Sequence, residues 1–103
     1  MAINAVLAAA GTADVEAMVA AHATLRLCGL SVAETAATAA AAEIIMLHGA
    51  TQAAGVIVVA PINVGADGFG VFWFENGGIP CPNGITLDRV SGTTTVVAYV
   101  DRV

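Results

Sequence analysis

The scarcity of charged side chains constrains this chain more than any other feature of its sequence. Only 11% of the 103 residues are charged, whereas 58% are hydrophobic, and the chain has eight acids, three arginines and no lysine. A soluble domain usually carries about 25% charged residues, and one of this size buries only about 60–65% of the surface that its unfolded chain exposes. Much of the folded surface must therefore be apolar or small and neutral, which is tolerated when other molecules cover it. The composition predicts a subunit of an assembly.

Charge and hydropathy also bear on the possible partners. The net charge of −5 argues against nucleic acid, because phosphate binding needs clustered basic side chains and Arg26, Arg89 and Arg102 are scattered. Residues 1–10 lack the basic start and cleavage context of a secretory signal, so we expect the protein to stay where it is made. Residues 44–66 carry no formal charge, but polar residues, glycines and a proline interrupt them. We interpret them as two strands with a turn and expect no membrane partner.

The first third of the chain is rich in alanine, and two signals compete there. Alanine favours helices, whereas the alternation of residues 24–28 is typical of a half-buried strand. We predict a strand over about 15–33 with a break inside it, and a loop or short helical turn over 36–42. Helix is therefore expected in less than roughly 15% of the chain.

The middle of the chain carries clearer strand signals. Apolar runs at 43–48 and 55–60 predict two buried neighbouring strands, the second ending at Pro61. Residues 69–74 concentrate the aromatic side chains and are predicted to form a strand against the core. If that aromatic segment were exposed together with Tyr99, it would instead form a platform for sugars.

The remaining residues predict a loop and a hairpin. Glycines and prolines place a loop over 75–84. Residues 85–88 and 94–101 alternate and are separated by a turn at 91–92, which predicts a carboxy-terminal hairpin. Six to eight short strands with turns between them indicate an all-β fold, a compact antiparallel β-sandwich or jelly roll.

No combination of residues predicts catalysis, a metal or a cofactor. Cys28, Cys81, His22 and His48 lack the spacing of a metal site, and the two cysteines are expected to be thiols in a reducing compartment. The acids near residues 63–75 do not follow the calcium-loop spacing. We therefore expect a protein that is not an enzyme.

Several turn and strand motifs together resemble those of a known group of proteins. The motifs are residues 30–35 (LSVAET) before an alanine stretch, a strand ending at Gly49, residues 78–85 (GIPCPNGI) and residues 90–93 (VSGT). Over residues 24–100 this combination resembles small virion structural proteins of tailed bacteriophages. The resemblance implies a compact β-sandwich without enzymatic activity, made in the host cytoplasm and carried on a capsid or tail.

The resemblance leaves two functions open. The first is a capsid decoration (cement) protein that binds the major capsid protein on the outer capsid surface as a homo-oligomer, expected to be a trimer, and stabilises the shell. The alternative is a tail- or fibre-associated module that recognises host glycan or another surface feature through the aromatic segment and the 75–84 loop.

The amino-terminal stretch has no alternation and is expected to add little to a sandwich core. We predict an arm over residues 1–14 and a single sandwich domain over 15–103, with residues 2–13 lying on a neighbouring subunit or on the capsid protein. The candidate interface residues lie in this arm and in the 75–84 loop: Ala2, Ile3, Val6, Leu7, Glu75, Asn76, Ile79 and Pro80. The loop around 50–54 is a further candidate contact.

Overall fold

Antiparallel strands make up the regular structure of this protein. The computed structural model describes residues 3–12, 14–38, 40–51 and 55–102, and within them it contains nine strands and no helix. The strands are β1 Asn4–Thr12, β2 Val15–Val19, β3 Arg26–Glu34, β4 Ala42–His48, β5 Val56–Val64, β6 Phe69–Trp73, β7 Ile79–Pro80, β8 Ile85–Ser91 and β9 Thr93–Asp101.

The strands form two sheets. The first sheet has the order β1-β9-β3-β6, with the short β7 also paired to β3, and the second has the order β2-β8-β4-β5. Because most connections pass from one sheet to the other, most strands adjacent in a sheet are distant in sequence, β4 and β5 being the exception. This arrangement is that of a jelly roll. The predicted all-β class and antiparallel sandwich are confirmed, but the described residues form nine strands where six to eight were predicted, the two-residue β7 being the extra one.

The core lies between the sheets and is formed by alternate residues of each strand. In β9 the inward residues Val96, Ala98 and Val100 are fully buried, and Leu30 on the neighbouring β3 and Ile44 on β4 of the second sheet are equally buried. Truncating a leucine or isoleucine in such a position to alanine costs about 2–5 kcal/mol. The alternation that the sequence shows in residues 94–101 thus reflects burial on one side only.

The amino-terminal segment belongs to the sandwich, which corrects the expectation of an arm outside it. Residues 4–8 pair with β9, the pairing resumes at Gly11 and Thr12 after a register shift, and Ala8 is completely buried in the core. Without β1, the backbone N–H and C=O groups on that edge of β9 would be unpaired, and pairing with them orders a segment whose sequence shows no alternation. Contact of this segment with another molecule stays a prediction.

Pro61 does not end a strand, contrary to the sequence expectation. β5 continues through it to Val64. Proline cannot donate a ladder hydrogen bond, but β5 is an edge strand, and its register with β4 shifts between Val59 and Ile62, so Pro61 lies at an irregularity that tolerates proline. The edge position also explains why β5 is less buried than expected, with Val56 and Ile57 largely exposed.

β8 and β9 do not form the predicted hairpin, because they lie in different sheets. The chain crosses between the sheets at Gly92, where φ is +75°, a conformation that favours glycine. A Cβ built on Gly92 would lie 2.5 Å from the Cβ of Ala42. The predicted turn at residues 91–92 is present, but the local sequence pattern does not indicate which strands β8 and β9 pair with.

Other predictions are confirmed. The strand expected over 15–33 with an internal break is β2 and β3, and β4 and β5 are neighbours as expected. Residues 36–38, 40 and 41 are irregular. None of the residues described here forms a helix that is long and apolar enough for a membrane span.

Candidate functional site

The outward side of the first sheet is an uncharged surface, and we call it the outer face. Alternation and cross-strand register place the outward residues of β1, β9, β3 and β6 side by side. They are Ala5, Leu7, Ser31, Ala33, Phe69, Val71, Trp73, Thr95, Val97 and Tyr99. None of these ten residues carries a charge, and the face ends at the next cross-strand pair, Arg26 and Asp101.

Large apolar side chains stand in solvent on the outer face. The exposed fractions are 63% for Leu7, 80% for Phe69, 54% for Val71 and 59% for Trp73. The prediction that the aromatic segment packs into the core is therefore wrong for Phe69 and Trp73. It is also wrong for Phe72, but Phe74 packs against the core. Residues 69–74 are apolar or glycine at both alternate positions, so periodicity does not indicate which side faces inward.

Trp73 is held in place at one end of this face. Its ring stacks on Tyr99 with the centroids 4.9 Å apart and the planes 28° from parallel. The ring also lies across Gly29, where an added Cβ would come within 2.6 Å of Trp73 Cε3. The hydroxyls of Tyr99 and Ser31 are 3.4 Å apart. Trp73 is thus exposed but positioned, which limits the entropy lost when it is covered.

The start of β6 depends on Glu34 at the end of β3. The Glu34 carboxylate accepts hydrogen bonds from the backbone N–H of Asp67 at 2.9 Å and of Ala36 at 2.8 Å. These donors favour the charged form and lower the pKa of Glu34 below its usual value, with the Asp67 bond contributing most. Asp67 itself adopts a left-handed conformation, with φ at 58°. Glu34 therefore fixes the turn that leads into Phe69.

Arg26 fixes the tight turn that follows β6. Its guanidinium donates to the carbonyls of Gly77 and Gly78, both at 2.9 Å. The turn contains Asn76 in a left-handed conformation, with φ at 57°. Beyond it, Cys81 N–H donates to Leu25 O at 2.8 Å. The predicted 75–84 loop is thus bound closely to the sheet edge, and residues 79–80 form the strand β7 within it.

The candidate interface residues fall on two opposite edges of the first sheet. Leu7 points outward on β1 and Ile3 is exposed just before β1 begins, whereas Val6 packs against the core; Ala2 lies outside the described residues. In the loop, Glu75, Asn76 and Pro80 are exposed and Ile79 packs against the core. The two groups are separated by β9 and β3, which at about 4.8 Å per strand spacing is roughly 15 Å. Residues 52–54 of the other candidate loop are not among the described residues.

The outward side of the second sheet differs from the outer face. Glu43 and Asp88 lie on it, and residues after β4 cover one end of it. There, Thr86 Oγ1 donates to Gly49 O at 2.8 Å, and Leu47 is buried beneath Gly55. This side of the sandwich is partly charged and partly covered by the chain itself.

Arg89 joins the two sheets at one end of the sandwich. Its side chain is fully buried and donates to Ala9 O at 2.7 Å and to Thr94 Oγ1 at 3.3 Å, both on the first sheet. It also forms ion pairs with Asp14 at 2.9 Å and Glu16 at 3.1 Å, whose carboxylates are half exposed. Sequence analysis missed this role because Ala9, Asp14 and Glu16 are more than 70 residues away from Arg89 in the sequence.

The cysteines and histidines occupy structural positions. Cys28 and Cys81 are buried free thiols, and burial is the main cause that raises the pKa of each. His48 Nε2 accepts a hydrogen bond from Asn83 N–H, and His22 Nδ1 accepts one from Thr24 N–H. Within the described residues, no three His, Cys, Asp or Glu side chains are grouped as a metal site, and no enclosed pocket is formed.

Comparison with known proteins shows the fold. No protein-family model and no curated protein matches the sequence. Among solved structures, the chain superposes on one from the acid-stable capsid of Helicobacter pylori bacteriophage KHP30, with a TM-score of 0.57 and 6% identity, over 97% of this chain and 86% of that one.

A second solved structure, PirA, matches with a TM-score of 0.52 and 11% identity, over 94% of this chain and 92% of that one. The chain therefore shares its fold with a protein of a phage capsid structure. The resemblance to small virion β-sandwiches is confirmed at the level of the fold. Because PirA has the same architecture, the fold does not by itself determine the function.

Proposed function

We propose that this chain is a non-enzymatic structural protein of a phage virion, a capsid decoration (cement) protein that binds the outer capsid surface as a homo-oligomer and stabilises it. The observation that carries the proposal is the shared jelly roll with the KHP30 capsid structure, which spans nearly the whole of both chains. The low charge content adds to it, because a surface of this kind is tolerated when an assembly covers it.

The capsid contact is proposed for the loop edge of the first sheet. Glu75, Asn76 and Pro80 are exposed there, on a turn that Arg26 holds in one conformation. A preorganised polar turn loses little freedom on binding. The expected partner is the major capsid protein, and the expected oligomer is a trimer.

A tail- or fibre-associated module that binds glycan is the second candidate function. The exposure of Phe69 and of the stacked pair Trp73 and Tyr99 favours it, because flat aromatic rings in solvent are suited to stacking on sugars. Jelly rolls also occur in lectins. In this alternative, the protein would be present in few copies per particle and would bind glycans through the outer face.

Copy number and capsid binding test the proposal. Quantitative mass spectrometry of purified particles of the phage that encodes the chain should find it in amounts comparable to the major capsid protein. A handful of copies per particle would favour the tail-associated module, and absence from the particle would refute both.

A binding assay with a matched pair of variants tests the contact. The purified protein should co-sediment with capsids that lack it, and Arg26→Met should bind less, because the turn loses two charge-assisted hydrogen bonds. Arg102→Met removes the same charge from an exposed site and should bind as the original protein does. Equal binding by both variants would contradict a contact through the turn.

A further inference from the structure

We propose that the outer face is the surface through which this protein associates with itself, and that each copy presents it to a neighbouring copy of the same chain. This inference deepens the oligomeric part of the proposed function. It gives self-association to a surface that the sequence analysis considered only as a platform for sugars, and only Leu7 is common to this face and the candidate interface residues.

The exposed apolar area is a substantial part of what a stable interface requires. An aromatic side chain has about 150–250 Å² of surface, so Phe69 and Trp73 alone leave roughly 300 Å² in solvent. Leu7, Val71, Val97 and Tyr99 extend this area toward the about 800 Å² that each partner buries in a stable interface. The largest apolar patch on an ordinary monomer is about 300–600 Å².

The distribution of charge selects a second copy as the occupant. A protein with a net charge of −5 repels its own copies wherever acids face acids. The ten residues of the outer face are uncharged, whereas the outward side of the second sheet carries Glu43 and Asp88. Copies that meet through the outer face therefore bury no charge and bring no acids together on that side.

The polarity of the face favours protein over sugar. Its hydrogen-bonding side chains are Ser31, Thr95, Tyr99 and Trp73, the last through its indole N–H alone, and the Ser31 and Tyr99 hydroxyls already lie close to each other. A sugar exposes many hydroxyls and needs several convergent polar partners, which this face does not offer. An apolar surface with a positioned tryptophan is instead typical of the energetic centre of a protein interface.

Sedimentation of the isolated full chain at micromolar concentration tests the inference without any capsid. The original protein should be an oligomer. Phe69→Glu and Leu7→Glu place an acid on opposite edges of the face, and each should weaken association by about tenfold or more, as expected when an interface residue worth over 1.4 kcal/mol is lost. The matched control is Val56→Glu on β5, where the side chain is 65% exposed and lies away from the face.

The fluorescence of Trp73 gives a second measurement on the unaltered protein, because it is the single tryptophan of the chain. Its emission should shift to longer wavelength on dilution, as copies separate and the ring returns to water. Circular dichroism of each variant verifies that the sandwich has folded, and if one face variant does not fold, the other carries the test.

Three results would overturn the inference. These are a monomeric original protein, face variants that stay as oligomeric as the original, and a Val56→Glu control that dissociates as readily as the face variants. Capsid binding is measured separately, so a protein that binds capsids as a monomer would refute the self-contact and leave the capsid role intact. A protein that associates through the face but is absent from particles would refute the capsid role and leave the self-contact intact.

Discussion

The two outward sides of this sandwich are built from the same alternation and yet present different surfaces. The outer face of the first sheet shows Leu7, Phe69, Val71 and Trp73 to solvent, without a charge. The outward side of the second sheet carries Glu43 and Asp88, and the residues after β4 cover part of it.

Folding of the sandwich constrains the residue types at inward positions more than those at outward positions. Inward positions of both sheets are apolar across the core, apart from hydrogen-bonded residues such as Arg89 and Thr94 at its end, whereas outward positions are free to be acidic, as Glu43 and Asp88 are on the second sheet. Phe69 is 80% exposed and stabilises the isolated sandwich little. Its apolar character therefore points to binding, and the variants below test which residues shape each side.

Arg89→Met should have the largest effect, because it removes the side chain that links the two sheets. The variant loses hydrogen bonds to Ala9 O and Thr94 Oγ1 and the ion pairs with Asp14 and Glu16. We expect the free energy of unfolding to fall by about 2–4 kcal/mol, since a buried acceptor and two half-exposed carboxylates lose their partner. Urea unfolding measures it, with Arg102→Met as the control. A loss below 1 kcal/mol would show that the sheets do not depend on this link.

Gly29→Ala should have an intermediate effect confined to the outer face. The new Cβ would lie 2.6 Å from Trp73 Cε3 and 2.7 Å from Phe72 O, so β6 must move away from β3. We expect a loss of about 1–3 kcal/mol and a change in tryptophan emission. Gly65→Ala is the control, because nothing lies within 4 Å of its added Cβ. Unchanged stability and emission in Gly29→Ala would mean that Trp73 is not held as described.

Glu34→Gln should change the free energy of unfolding least, and the change should disappear at low pH. The pKa of Glu34 is lowered in the folded protein, so its stabilisation is complete above the ordinary value of 4.5 and is lost as the pH falls through the folded value. At pH 7 the variant should unfold more easily than the original protein, and the difference should shrink as the pH falls below 4.5. Urea unfolding at both pH values measures this. A difference that persists at low pH would contradict the role of the carboxylate charge.

The sequence predicted the fold class well and the surfaces poorly, for a physical reason. Alternation in residues 94–101 reports burial against a core, and turn residues such as Gly92 report backbone conformation, so both are readable locally. The alanine-rich β1 shows no contrast between its two sides, and residues 69–74 are apolar or glycine on both. The partner of each strand, and the side of β6 that faces solvent, depend on residues far away in sequence.

The position of β9 has a consequence for how the chain reaches this structure. β9 is the last of the described strands and lies between β1 and β3. Until residues 93–101 have been synthesised, β1 has no partner in the sheet and β3 lacks the partner on the edge opposite β6. Pairings across nearly the whole chain make folding slow, since distant segments must meet before either is stabilised. During translation β1 is an uncharged nine-residue segment without its partner, which makes the nascent chain prone to aggregate until β9 inserts.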